Sequence, residues 1–168
     1  MIYKTSYVLN HIQTQQKITR LGHELIENCF EETELFIGGI SGNGYKLAKM
    51  ITDIIEKNAS LKITSFEIKI NKSEPWAEPI SLSIEESRLK KGYIILVDDV
   101  INSGKTLQYA LVKFLEQPTK AIQTVVLVDR KHRRYPIKAN FVGISLSTTL
   151  QDRIEVDLSE GDTKAFLI

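Results

Sequence analysis

The residues best suited to chemistry are Asp98 and Asp99, adjacent carboxylates that follow the apolar run Ile94-Ile95-Leu96-Val97, and the turn Ser103-Gly104-Lys105-Thr106-Leu107 just beyond Asn102. Carboxylates accept hydrogen bonds from sugar hydroxyls, and a glycine-containing turn that opens a helix offers backbone N–H groups to a phosphate. Four consecutive apolar residues suit a parallel strand buried on both faces. The acidic pair then emerges at the strand's carboxyl end, where open α/β sheets bind ligands. Each half alone is better read as ordinary loop chemistry, with Ser103 or Thr106 capping a helix. A nucleotide-binding Walker loop is excluded, because it needs a glycine at position 99, which is Asp.

The same grammar occurs earlier in the chain. Leu35-Phe36-Ile37-Gly38-Gly39-Ile40 is followed by Ser41-Gly42-Asn43-Gly44 and then by Leu47, Ala48, Ile51, Ile54 and Ile55 at helical spacing. The glycines allow positive φ and close backbone approach, as an anion pocket requires, although any tight strand-to-helix turn also uses them. A strand is expected around 63–70. The polar stretch from Asn71 to Pro79, with Trp76 isolated in it, reads as a mobile loop, and Ile80–Ile84 as a returning strand. An ordinary surface hairpin with Trp76 packed on its base explains this region equally well.

These turns must be positioned by a core. Asn10 with Gln13 forms a capping-box pattern ahead of Ile18, Leu21, Leu25, Ile26 and Cys29, which predicts one long amphipathic helix in which His23 is structural or on the surface. Leu107, Ala110, Leu111, Phe114 and Leu115 continue a helix that stops before Pro118, and Thr124–Val128 reads as another buried strand. Alternation of helices and strands gives an α/β fold with a central, mainly parallel sheet flanked by helices. Arg153–Leu158 alternates like an edge strand.

Joined at this spacing, residues 94–107 resemble the phosphoribosyl-diphosphate (PRPP) signature of type I phosphoribosyltransferases. Ile18–Glu27 and Asp129–Gly143 look like the branch of bacterial pyrimidine-operon regulators that double as uracil phosphoribosyltransferases. The resemblance implies a single domain over 1–168, with a lid hairpin at about 70–90 and a small hood built from the N-terminal residues and about 130–168. It implies Mg²⁺-dependent transfer of a phosphoribosyl group from PRPP to a nucleobase. Asp98, Asp99 and Asn102 would be catalytic, the two aspartates also helping to hold Mg²⁺ through substrate or water. Ser103, Gly104, Lys105, Thr106 and Leu107 would cradle the 5′-phosphate, and Ser41, Gly42, Asn43 and Gly44 the pyrophosphate. Asp129, Arg130, Phe141 and Val142 would hold the base, although a core strand explains Phe141 and Val142 equally well. A homodimer or higher homo-oligomer is also implied.

Two departures refine the expectation. The relatives carry Arg or Lys within the segment matching 41–44, and this chain has neither. Hypoxanthine-guanine enzymes carry an Asp at the Asn102 position and a Lys at the Asp129 position. An amide is no general base at neutral pH, and a carboxylate repels a 6-oxo group, which argues for uracil over hypoxanthine or guanine. The rival from another class is a non-catalytic PRPP- or nucleotide-sensing regulator that binds RNA through Lys131, Arg133 and Arg134. With 22 Lys+Arg against 21 Asp+Glu in 168 residues, the chain lacks the basic excess of a dedicated nucleic-acid binder. Its one cysteine, Cys29, rules out a disulfide framework. No membrane span or signal peptide is evident, so the cytoplasm is expected.

Overall fold

The computed structural model describes residues 6–168; residues 1–5, part of the expected domain and hood, lie outside the described residues. In chain order the elements are β1 (Ser6–Leu9), α1 (His11–Asn28), β2 (Glu34–Ile40), α2 (Asn43–Asn58), β3 (Lys62–Lys69), β4 (Ser81–Leu82) and β5 (Tyr93–Ile101). Then come α3 (Lys105–Phe114), β6 (Ala121–Asp129), β7 (Phe141–Ser145), β8 (Ile154–Asp157) and β9 (Lys164–Leu167). A single 3₁₀ turn, Glu86–Leu89, precedes β5.

The main sheet has the order β4-β3-β2-β5-β6-β7, with β4 antiparallel and the others parallel. From β2 the chain winds outward to β3, and from β5 it winds the other way to β6 and β7. The order therefore reverses between β2 and β5, and the two following turns diverge to leave a crevice there. The pleat sorts the apolar run of β5 between two cores. Ile95 and Val97 pack with Leu47 and Ile51 of α2 and with Leu21 and Leu25 of α1, whereas Ile94 and Leu96 pack with Leu107, Ala110 and Phe114 of α3. All four are completely buried. At about 1.5–3 kcal/mol for each large apolar side chain, this strand is a principal source of stability.

β5 does not stop before its carboxylates. Its ladder with β6 continues through Val100↔Val128 and Ile101↔Asp129, so the acidic pair lies within the strand. The returning strand after the loop is shorter than expected, two residues paired with Ile68 and Lys69. Trp76 is exposed and lies against Tyr109 of α3, with ring centroids 6.1 Å apart, and not on the hairpin base.

A second sheet, β1-β9-β8, is antiparallel. The alternation of the tail places Ile154, Val156 and Leu158 inward. Its share of the chain is smaller than the expected 130–168, because β7 pairs with β6 and belongs to the main sheet. Asn10 and Gln13 form the reciprocal capping box that starts α1. Cys29 closes the same helix as a buried free thiol, and burial pushes its pKa up, which suits an unreactive packing role. Among the described residues, no helix is long and apolar enough to cross a membrane.

Asn10→Ala removes one side of that capping box. It should destabilise the protein by about 1 kcal/mol, lowering the melting temperature by about 2–4 °C. An unchanged melting temperature would show that the small sheet, and not the cap, fixes the start of α1.

Candidate active site

At the end of β5 the backbone turns through Ser103 and Gly104 into α3. Gly104 has φ +86°, and a Cβ there would run into the Ile137 side chain. Conformation and space both demand glycine. Ser103 accepts the Lys105 N–H at 3.2 Å, and Leu107 drops into the core, so the first amides of α3 face outward without partners in the helix. They border a cavity of about 150 Å³ whose wall includes Asp98 and Lys72.

Neighbouring strand residues face opposite sides, so the two carboxylates have different surroundings. Asp98 is 4 % exposed, while Asp99 is half-buried. Asp98 Oδ1 accepts the Asp99 N–H at 2.9 Å, and Asp99 Oδ1 accepts the Val100 N–H at 2.8 Å. Lys72 Nζ stands 3.9 Å from Asp98 Oδ1. Burial, and then the charge of Asp99, push the Asp98 carboxyl well above the usual carboxylate range, with Lys72 partly opposing them.

The turn after β2 meets the same carboxylates. A Cβ on Gly44 would lie 3.0 Å from Asp98 Oδ1 and 2.9 Å from the Val97 carbonyl oxygen, so its absence lets α2 start against β5. Asn43 Nδ2 donates to Asp99 Oδ2 at 3.2 Å and to the Val156 carbonyl at 2.7 Å. Asn43 thereby ties the main sheet to the small one. Gly42 has φ +89°. Ser41 turns away, its hydroxyl donating to Glu67 Oε1 at 2.6 Å. Between these elements lies a cavity of about 500 Å³, lined by the acidic pair, Asn43, Lys72, Asn102, Thr106 and residues 154–156. That volume suits a small-molecule ligand.

Of the residues expected at the base, none lines this cavity. Phe141 and Val142 begin β7 opposite Val125 and Val126, four and three residues short of the sheet end where Asp129 pairs with Ser145, and they pack against the two cores. Asp129 sits at the edge, but its Oδ1 accepts from Arg133 Nη2 and from the Lys131 N–H, each at 2.8 Å. Its carboxylate faces Arg133, so its charge carries no argument against a 6-oxo group. Arg130 reaches the site indirectly: Nη1 donates to Asn102 Oδ1 at 3.0 Å, and Nε to Thr148 Oγ1 at 3.0 Å. Arg133 also donates to the Asn102 and Ile137 carbonyls. The charged run is thus partly an internal brace behind the Ser103–Gly104 turn, where Ser103 O accepts the N–H groups of Arg134 and Tyr135.

Besides Val100 and Ile101 of β5, the site-lining residues that sequence reasoning missed are Ile154, Glu155, Val156 and Lys72. The alternation of the tail marked a strand, but no local signal shows that β8 packs beside β5.

A model of the phosphoribosyl transferase domain matches residues 5–159, and the chain belongs to that family: it is a phosphoribosyltransferase. Within the family its likeness is to the bifunctional protein PyrR. It is 32% identical over 164 residues to that of Clostridium kluyveri, covering 92% of this chain and 91% of the relative. It is 33% identical over 154 residues to that of Streptomyces coelicolor, covering 86% and 79%. Among solved structures, the hypoxanthine phosphoribosyltransferase of Trypanosoma cruzi superposes with a TM-score of 0.76 at 13% identity, covering 95% of each chain. A hypoxanthine-guanine phosphoribosyltransferase of Bacillus anthracis gives 0.75 at 19% identity, covering 98% and 99%. Those two likenesses show the fold.

Asp98→Asn should make the folded protein more stable at neutral pH. A carboxyl whose pKa is raised by folding binds its proton more tightly in the native state, so stability falls as pH rises from about 4, the unfolded value, through the folded value. Thermal melting from pH 4 to 8 should show the advantage of the variant growing with pH; a variant less stable at pH 8 would contradict the electrostatic account. Gly104→Val should abolish binding of a nucleoside monophosphate by calorimetry, because the side chain meets Ile137 and blocks the turn. Retained affinity would place the phosphate elsewhere.

Proposed function

We propose that this phosphoribosyltransferase moves the phosphoribosyl group of PRPP to a ring nitrogen of uracil, with Mg²⁺ bound together with the diphosphate. The observation that carries the reading is the meeting, in one crevice, of the α3 phosphate turn, the Asp98–Asp99 pair and the small sheet. The 5′-phosphate takes the amides of Ser103 to Leu107, and the ribose hydroxyls donate to the acidic pair. The base nitrogen attacks the anomeric carbon from the face opposite the diphosphate. The carbon–oxygen bond to pyrophosphate breaks, the carbon–nitrogen bond forms with inversion, and the ring proton leaves to solvent.

The transition state gathers positive charge on the ribose, and preorganised carboxylates stabilise that charge more than they stabilise the neutral sugar. Asp98 and Asp99 would help to hold Mg²⁺ through the substrate or water, since hard oxygen donors suit this ion. When bound, the ion neutralises the charge developing on the leaving pyrophosphate.

Base recognition falls to the free edge of β8. Arg153 and Ile168 exchange both backbone hydrogen bonds, so by antiparallel alternation Glu155 pairs with Phe166, whereas the backbone groups of Ile154 and Val156 point away from β9. Val156 O meets Asn43 on that edge. The edge therefore looks toward the acidic pair, and backbone donors and acceptors there match the alternating carbonyl and N–H groups of a pyrimidine. Asn102, its amide oxygen held by Arg130, is no general base, which is why the ring proton leaves to solvent. The PyrR relatives support the same branch. This reading places the enzyme in the cytoplasm as a homodimer or higher homo-oligomer.

The RNA-binding alternative loses part of its footing, since Arg133 is committed to Asp129 and backbone carbonyls. Lys131 and Arg134 remain exposed.

PRPP-dependent pyrophosphate release, measured across a panel of nucleobases, should show turnover with uracil and little with hypoxanthine or guanine. Preference for a 6-oxopurine would overturn the base assignment, and silence with PRPP still bound would favour the regulator. In the active enzyme, Asp99→Asn should lower kcat/KM by about 10²–10³-fold, the scale seen when one preorganised electrostatic group is lost. Unchanged kinetics would remove Asp99 from the site.

A further inference from the structure

The chain reaches β8 from the main sheet through residues 146–153, which run from the end of β7 without regular structure. This crossing segment sets where the free edge of β8 stands over the crevice. At its start the Leu146 N–H donates to Asp129 O at 2.8 Å, and at its end Arg153 pairs with Ile168. Between these points Asp152 Oδ2 closes a turn by accepting the N–H and the hydroxyl of Thr149, at 3.2 and 2.7 Å. Leu150, at the tip of that turn, is 83% exposed, so it gives the segment no apolar anchor.

Among the described residues, the side chains that tie this segment back to the main sheet are Arg130 and His132, just past β6. Arg130 Nε donates to Thr148 Oγ1 at 3.0 Å, and Nη2 donates to the Thr149 and Asp152 carbonyls at 3.2 and 2.5 Å. The Thr148 carbonyl can only accept, so His132 Nε2, 2.9 Å away, carries a proton and donates to it. The other arm of Arg130, Nη1, holds Asn102 Oδ1 at 3.0 Å, and the Arg130 N–H donates to Ile101 O at 3.1 Å. An arginine presents five donors in one rigid plane. One guanidinium therefore keeps Asn102 and three points of the crossing segment at a fixed spacing.

We propose that Arg130 is a positioning residue for the nucleobase: its guanidinium fixes the distance between the phosphate turn and the free edge of β8, and so sets how far from the ribose a base is read. The inference rests on the phosphoribosyl-transfer reading, with the base at β8, and it gives Arg130 an indirect part in place of a contact with the base. Arg130 lines neither cavity of the site, so it acts through Asn102 and the crossing segment. Its effect falls on the base, because the groups that take the ribose and the 5′-phosphate lie together on β5 and α3 and do not depend on the crossing segment for their place.

Kinetics, calorimetry and amide hydrogen exchange on the full chain with Mg²⁺ test this. Arg130→Ala should lower kcat/KM for uracil about ten- to a hundredfold, the scale of one lost charge-assisted hydrogen bond, chiefly by raising the KM for the base. Affinity for PRPP, measured by calorimetry without a base, should not change. Millimolar guanidinium should restore part of the lost uracil activity, whereas Arg130→Lys should restore little, because an ammonium lacks the planar fork. Exchange should quicken at residues 146–156 and stay unchanged at 94–107. A loss of PRPP affinity in step with that of uracil, wild-type uracil kinetics, or unchanged exchange at 146–156 would each overturn the assignment. A wild-type protein that binds PRPP but does not turn over uracil would overturn the functional reading instead, and exchange in Arg130→Ala would still decide whether Arg130 holds the crossing segment.

Discussion

Holding two adjacent carboxylates at the switch point of the sheet, one of them buried, is the constraint on which the remaining structure turns. A buried ion costs several kcal/mol even after relaxation, and a like charge beside it adds to that cost. The four apolar residues of β5 just before the pair offset it, since their burial contributes about 6–12 kcal/mol as an upper bound. The strand is therefore stabilised by Ile94 to Val97 and carries the charge of Asp98 and Asp99 into the crevice.

The surrounding elements fit that constraint. Gly44 lets α2 begin against Asp98, and Asn43 donates to Asp99 while reaching across to β8. Gly104 turns the chain so that the amides of α3 face the same crevice. Arg133 and Arg130 stand behind, gripping Asn102 from its carbonyl and its side chain. Of these side chains Asn43 donates to the pair, while the glycines and the two arginines shape the crevice around it. Such a scaffold meets the requirement of electrostatic catalysis that dipoles be fixed before charge develops.

How far the sequence disclosed this arrangement followed the range of the interactions. The strand and turn grammar of 94–107 and 35–44 is local, and the elements formed there, except that β5 runs on past its carboxylates to Ile101. The capping box at Asn10 was legible for the same reason. Phe141 and Val142 were given to the base through the family resemblance, with a core strand as an equal alternative, and sheet register favours the strand, since pairing with Val125 and Val126 packs them against the two cores. Asp129 was read by charge alone, and its partner four residues on, Arg133, changes what that charge can do. Residues 154–156 reach the site only through the docking of a second sheet, which no local pattern encodes. Lys72 sat in a stretch read as a loop, where sequence cannot say which way a side chain faces.

A crystal structure of the protein with PRPP and Mg²⁺ tests the central claim most directly, namely that the acidic pair holds the ribose while the α3 turn holds the phosphate. The 5′-phosphate oxygens should lie within about 2.7–3.2 Å of backbone nitrogens in the stretch Ser103 to Leu107. The ribose hydroxyls should donate to Asp98 and Asp99. Density for PRPP that leaves the turn empty, or that directs the ribose away from both carboxylates, would contradict the account.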